Sequence, residues 1–182
     1  MIVPESQFNL AAVQREWRGK SLGVSRGRYP VEYDPIRRYC HMTGETNPLF
    51  LDREAAASGP YGAVICPPAF IRYFVSDGAW PGLRSEPSQA PRGVPRLGDR
   101  GVNMGVSWEF LAPVLVGDEL RCEWQVEDIY IKLTKLDPKS IWVKTKGTIS
   151  NQRAVVVAIW RNTLLLHRTP AQLAAVSQEA AG

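Results

Sequence analysis

Between Gly44 and Phe70 the chain gathers side chains suited to proton transfer and to apolar binding. Glu45 puts a carboxylate in a short loop ahead of Asn47-Pro48, which makes it a candidate general acid or base. His41 lies just before that loop. Imidazole moves protons near neutral pH, but on a short helix it reads first as a surface or packing residue. His167, beside Arg168, reads as solvated. Asn47-Pro48 suits an Asx-turn, with the Asn side chain accepting from backbone. Asn47, Phe50, Pro67, Pro68, Ala69 and Phe70 are the candidate substrate-binding residues.

Other chemistries find less support. Cys40, Cys66 and Cys122 are an odd number at unrelated spacings and form no metal-ligand pattern. Ser25, Ser58 and Ser107 sit in no nucleophile elbow, and Cys66 has no neighbouring base. No metal and no cofactor is expected. Arg84, Arg92, Arg96 and Arg100 outnumber Glu86 and Asp99 in a proline-rich stretch. Guanidinium forks can meet the phosphates of a coenzyme, and the same cluster also reads as a solvated loop. No aromatic residues interleave with these arginines, so nucleic acid is not the expected partner.

The elements that must position these residues change character along the chain. With 182 residues, 45% of them hydrophobic and 22% charged, the chain suits one packed domain. No apolar run is long enough to span a bilayer, and the first residues lack a secretory pattern. A reducing cytoplasm is the expectation. Asp34-Pro35 opens a short helix whose face carries Ile36, Tyr39, Cys40 and Thr43, and Gly44 stops it. Asp52 caps a second helix over 53–57. A third, apolar nearly all round, runs from Ala69 to about Asp77 and should be buried.

From Gly105 the pattern becomes extended, with strands predicted over 106–116, 119–131, 140–150 and 154–166. Gly117-Asp118, Asp137-Pro138 and the run from Asn151 to Arg153 mark the turns. In the second strand Cys122, Trp124, Val126 and Tyr130 alternate with polar residues and should share a buried face. Residues 1–19 read as an N-terminal extension, 20–168 as the domain with a long loop over 81–104, and 169–182 as a tail that frays. A helix ahead of an antiparallel meander is one α+β layer pair.

Two segments carry a family resemblance. Thr-Gly-Glu-Thr-Asn-Pro-Leu-Phe over residues 43–50, with Ile-Cys-Pro-Pro-Ala-Phe over 65–70, resembles the hydratase signature of MaoC-like (R)-specific enoyl-CoA hydratases and acyl dehydratases. The later Trp-Glu-Phe-Leu-Ala-Pro-Val-Leu-Val-Gly-Asp-Glu-Leu, residues 108–120, resembles the family's hairpin. The resemblance spans roughly residues 20–167 and implies the hot-dog fold, a single curved antiparallel sheet wrapped around a central helix. Gly44, Asn47 and Pro48 keep the family frame. Glu45 stands where the catalytic Asp is expected, Phe50 where the catalytic His is, and Pro68 where a backbone N–H holds the thioester oxygen. Phe50 cannot move a proton and Pro68 cannot donate; with the alignment shifted by one, Ala69 supplies the donor.

The resemblance implies an acyl-CoA thioester as ligand, with coenzyme A entering only as part of the substrate, fatty or steroid-type in its acyl group. It is closest to the N-terminal, FAS1-like half of two-domain MaoC-like proteins, which shapes an acyl tunnel while a second hot-dog unit supplies Asp and His. The first reading is therefore a non-catalytic subunit paired with a catalytic one. A second is a homodimeric hydratase in which Glu45 is catalytic, helped by water or His41. A third is a hot-dog thioesterase or an acyl-CoA-binding module.

Overall fold

The computed structural model describes residues 1–75, 91 and 93–179. Arg84, Glu86 and Arg92 of the arginine-rich stretch, most of the long loop and the end expected for the third helix near Asp77 lie outside them.

Local chemistry starts and stops the helices ahead of the sheet. Asn9 caps α1 (Leu10–Trp17) by accepting from the Ala12 N–H at 3.0 Å. In α2 (Tyr33–Thr43) Asp34 is not the cap but sits in the first turn, where it pairs with Arg37 and Arg38. Gly44 ends α2 at φ 70°, a left-handed C′ position that glycine adopts without strain. Asn47 caps α3 (Pro48–Leu51), and Asp52 caps α4 (Arg53–Ser58) through the N–H groups of Glu54 and Ala55. A 3-10 turn over Pro68–Phe70 leads into α5 (Ile71–Phe74).

Five strands follow the order β1 (Ser21–Arg26), β3 (Arg121–Lys132), β4 (Ser140–Ser150), β5 (Val156–His167), β2 (Arg100–Phe110), all antiparallel. The sequence pattern misses β1 and puts the next strand too late. Pro113 explains the second difference: it cannot extend a ladder, and past Phe110 the chain turns away, with Leu111 and Ala112 both donating to Val157 O. The buried face of β3 also needs correction. A bulge between Val126 and Asp128 shifts the register, so Ile129, not Tyr130, continues the face of Trp124 and Val126. Tyr130 stacks on Trp142 on the opposite face instead, with centroids 6.0 Å apart.

Two apolar clusters cover the inner face. Ile36 and Cys40 of α2, Phe50, and Ile71 and Phe74 of α5 pack on Trp124, Ile149 and Ala158. Val13 and Trp17 of α1 pack on Val126, Ile129, Ile141 and Val143. Val13 and Trp17, within the stretch read as an N-terminal extension, are therefore part of the domain's core, and Gln14 Nε2 donates to Ile129 O at 2.6 Å. The tail expected to fray carries α6 (Pro170–Glu179). Thr169 and Gln172 form a reciprocal capping box, Gln172 N donating to Thr169 Oγ1 and Thr169 N to Gln172 Oε1.

One rung across the inner face reads Trp124, Gly147, Trp160, Trp108. A Cβ at Gly147 would lie 2.5 Å from the Trp124 ring and 2.8 Å from Cys122 Sγ. The glycine lets the indole lie flat over the strand while its Nε1 donates to Ser25 Oγ at 2.9 Å. Gly147→Ala is expected to destabilise the domain by about 1–3 kcal/mol through overpacking. Each kcal/mol would lower Tm by roughly 2–4 °C in a calorimetric scan; an unchanged Tm would disprove the close contact.

At the far end of β5, Arg168 is buried. Its backbone N and Nε donate to Asp137 Oδ2 at 2.9 and 3.0 Å, and Nη2 to Oδ1 at 2.6 Å. Its Nη1 meets Glu5, which also pairs with Lys139. No helix of the described residues is long and apolar enough to cross a membrane.

Candidate functional site

A groove of about 750 Å³ opens where the C-terminal end of β2 passes the loop between α2 and α3. Glu45, Asn47, Phe50, Pro67, Pro68 and Ala69 all line it. Phe70, the remaining candidate, stands behind that wall, stacked between Tyr39 at 4.4 Å and Tyr73 at 4.8 Å. Tyr39, Thr43, Gly44, Trp108 and Phe110 also line it. Trp108 and Phe110, two apart on one strand, share a face, and their rings stack 5.7 Å apart. That spacing is the signal by which the sequence could have offered them. Their closeness to Glu45, however, depends on β2 pairing with β5 across the sheet.

The loop holds its polar groups to itself. Glu45 Oε1 accepts from the backbone N–H groups of Thr46 and Asn47, each at 2.9 Å, and Glu45 N donates to Cys40 O. Asn47 Oδ1 accepts from Leu49 N at 3.0 Å, the Asx-type contact expected of it. Phe50 is buried in the core and forms the apolar floor. Pro68 occupies the first position of its turn and has no N–H, so the first N–H the turn offers is that of Ala69.

The two histidines lie elsewhere. His41 is exposed in the last turn of α2 and does not line the groove. His167 pairs with Arg100 at the opposite end of β2, its Nδ1 2.8 Å from Arg168 O. All three cysteines are buried and free. Burial pushes the Cys66 thiol beyond the ordinary range and Cys122 up to about 12, so neither is a thiolate at neutral pH. Adding water across an enoyl thioester needs a base, an acid and donors for the developing oxyanion. Of the described lining residues Tyr39 and Glu45 are the ionisable ones, and one oxygen of the Glu45 carboxylate, Oε1, is held by its own loop.

Comparison with known proteins adds a family and a fold. The model of the FAS1-like, dehydratase domain region matches residues 17–160. A probable enoyl-CoA hydratase alpha subunit from Thermomonospora curvata is 29% identical over 159 residues, covering 84% of this chain. The chain spans only half the length of that relative. Among solved structures, the ChsH1-ChsH2 complex from Mycobacterium tuberculosis aligns with a TM-score of 0.67 at 17% identity, over 88% of this chain and 89% of that one. A MaoC-like dehydratase from Rhodospirillum rubrum aligns with a TM-score of 0.58 at 22% identity, over 84% and 94%. At such identities the structural likenesses bear on fold alone, and they agree with the single hot-dog fold anticipated from the sequence.

Proposed function

The chain belongs to the FAS1-like dehydratase family of MaoC-like hot-dog proteins, and from that premise we propose that it is the non-catalytic subunit of an acyl-CoA hydratase or dehydratase. In this reading it supplies one wall of the acyl site, and a second hot-dog subunit supplies the acid and the base. The observation that carries it is the groove itself. Its floor is Phe50, its walls are proline and aromatic rings, and the one carboxylate among its described lining residues, that of Glu45, accepts two backbone hydrogen bonds at Oε1. Such a surface can hold an acyl chain but has little with which to move protons.

The partner would enter along β2. Among the described residues that strand is an edge, with β5 as its one partner, and it carries Trp108 and Phe110 of the groove. A chain docked there necessarily borders the acyl site. The relative named as an alpha subunit and the two-component ChsH1-ChsH2 structure are in keeping with such a division. The aromatic walls suit a bulky fatty or steroid-type acyl group on coenzyme A.

The test is hydration of crotonyl-CoA and of a longer enoyl-CoA, followed at the enoyl-thioester absorbance. The chain alone is expected to show no turnover, and co-expression with a MaoC-like subunit carrying Asp and His to restore it. Glu45→Gln should leave the complex within a few fold of the unaltered rate. Turnover by the chain alone, lost by about 10²-fold or more in Glu45→Gln, would instead make Glu45 the catalytic base of a homodimer.

A further inference from the structure

The lining of the groove is of two kinds. Phe50, Pro67, Pro68, Trp108 and Phe110 are apolar, whereas the stretch from Tyr39 through Thr43 and Glu45 to Asn47 carries polar groups. Part of that polarity is used within the loop, since Glu45 Oε1 and Asn47 Oδ1 accept from backbone N–H groups. The Tyr39 hydroxyl is not: among the described residues it has no hydrogen-bond partner, and it is open to solvent. A hydrocarbon chain laid over it would strip its water and give nothing in return. The hydroxyl therefore points to a polar part of the ligand.

The ring that carries it is held in place. Tyr39 is half-buried and stacks on Phe70, with centroids 4.4 Å apart and planes 18° apart, and Phe70 stacks in turn on Tyr73. One helical turn on, Thr43 Oγ1 donates to Tyr39 O at 2.9 Å. The loop then folds back, Glu45 N donating to the O of Cys40, the neighbour of Tyr39, at 2.9 Å. The hydroxyl is thus fixed beside the loop that holds Glu45. A donor whose ring is already immobilised binds without the cost of ordering a free side chain.

An acyl-CoA offers such a lining three kinds of group. The acyl hydrocarbon needs no polar partner, and the thioester oxygen is a weak acceptor. The amides of the pantetheine arm have strong carbonyl acceptors and N–H donors besides. We propose that Tyr39 is a specificity-determining residue, whose hydroxyl donates to the carbonyl of the pantetheine amide nearest the thioester. This rests on the reading of the groove as an acyl-thioester site, and it gives the ligand a direction. The arm lies along the loop from Thr43 to Asn47, and the acyl chain runs over Pro67, Pro68 and the aromatic rings of β2.

The probes are the butanoyl thioester of N-acetylcysteamine, which keeps that amide, and S-pentyl butanethioate, a chain of the same length without it. Binding to the full chain, alone and co-expressed with the proposed second subunit, is read by tryptophan fluorescence, Trp108 being part of the lining. Tyr39→Phe keeps the stacked ring, so its Tm should match that of the unaltered chain. It is expected to weaken binding of the N-acetylcysteamine thioester about fivefold, the size of one net hydrogen bond, and to leave the S-pentyl thioester unchanged. Unchanged binding of the amide compound overturns the inference. Equal weakening of both compounds would put the hydroxyl on the thioester they share, or make its role structural, and overturns it as well. Either result leaves the acyl-thioester groove standing; binding of neither compound by the unaltered chain, alone or in complex, overturns the groove and the inference together.

Discussion

Met104→Lys combined with Val106→Lys is expected to separate the chain from the proposed catalytic subunit and to abolish the enoyl-CoA hydration proposed for the pair. β2 is an edge strand of eleven residues whose inner partner is β5 and whose other side is unpaired among the described residues. Val102, Met104, Val106 and Phe110 are all exposed on it, Met104 and Val106 each by about half. A long apolar edge is a template for another strand, and lysine is the residue that most simply blocks one. Burying the exposed half of each such side chain contributes about 0.8–1.5 kcal/mol. Losing two weakens association by about 10- to 10²-fold, and the lysine charges left facing the partner add to that loss. Co-purification and sedimentation of the double variant would read this directly, with the Tm of the isolated chain as control. A double variant that stays bound and active would place the partner on another surface.

The largest loss of stability is expected from Asp137→Ala. The carboxylate is buried and accepts three hydrogen bonds from Arg168 as well as one from the Lys139 N–H. Its removal leaves a buried guanidinium with Glu5 as its remaining counter-charge. Breaking a buried pair on one side costs about 3–5 kcal/mol, a large part of a domain's total of about 5–15 kcal/mol. The exposed pair Arg18–Asp128 is worth at most about 1 kcal/mol by contrast. Burial raises the Asp137 carboxyl, and the hydrogen bonds from Arg168 and from the Lys139 backbone more than reverse this, so it ionises below its ordinary range. The stabilisation is thus complete above the ordinary Asp value of about 3.9 and is lost as pH falls through the lower folded value. Urea titrations of both proteins from neutral pH downward would measure it. A loss under about 1 kcal/mol at neutral pH would show that the pair does not anchor the β5 end.

Much of the helical part was legible because its signals are local. Gly44 and Asp52 act through their own backbone neighbours and stop and start helices where their chemistry predicts, while Asn47 makes its Asx-type contact and thereby caps α3, a helix the sequence pattern misses. The capping box of α6 was equally local, but the Ala-rich composition around it pointed to a tail. β1 was hidden for a different reason. Ser25, an inward residue, is polar because it holds the Trp124 indole, and a polar residue facing inward erases the two-residue period. Past Val126 one bulged residue reversed the faces assigned to Ile129 and Tyr130. In the groove, the residues from the loop and from the prolines after it were readable from one contiguous stretch. Trp108 and Phe110 join them only through strand pairing distant in sequence, which no local pattern records.

The strand order has a consequence for the timing of assembly. β2 is made before β3, β4 and β5, yet the strand it pairs with is β5. During synthesis its apolar side chains wait unpaired while the meander that will receive them is still being made. Long-range pairing of this kind is slow, and exposed strands invite aggregation meanwhile. Making the chain together with the proposed second subunit would shorten the time the outer side of β2 stays bare after folding. On that proposal the soluble yield of this chain depends on that subunit's presence as it is made, and not on mixing afterwards.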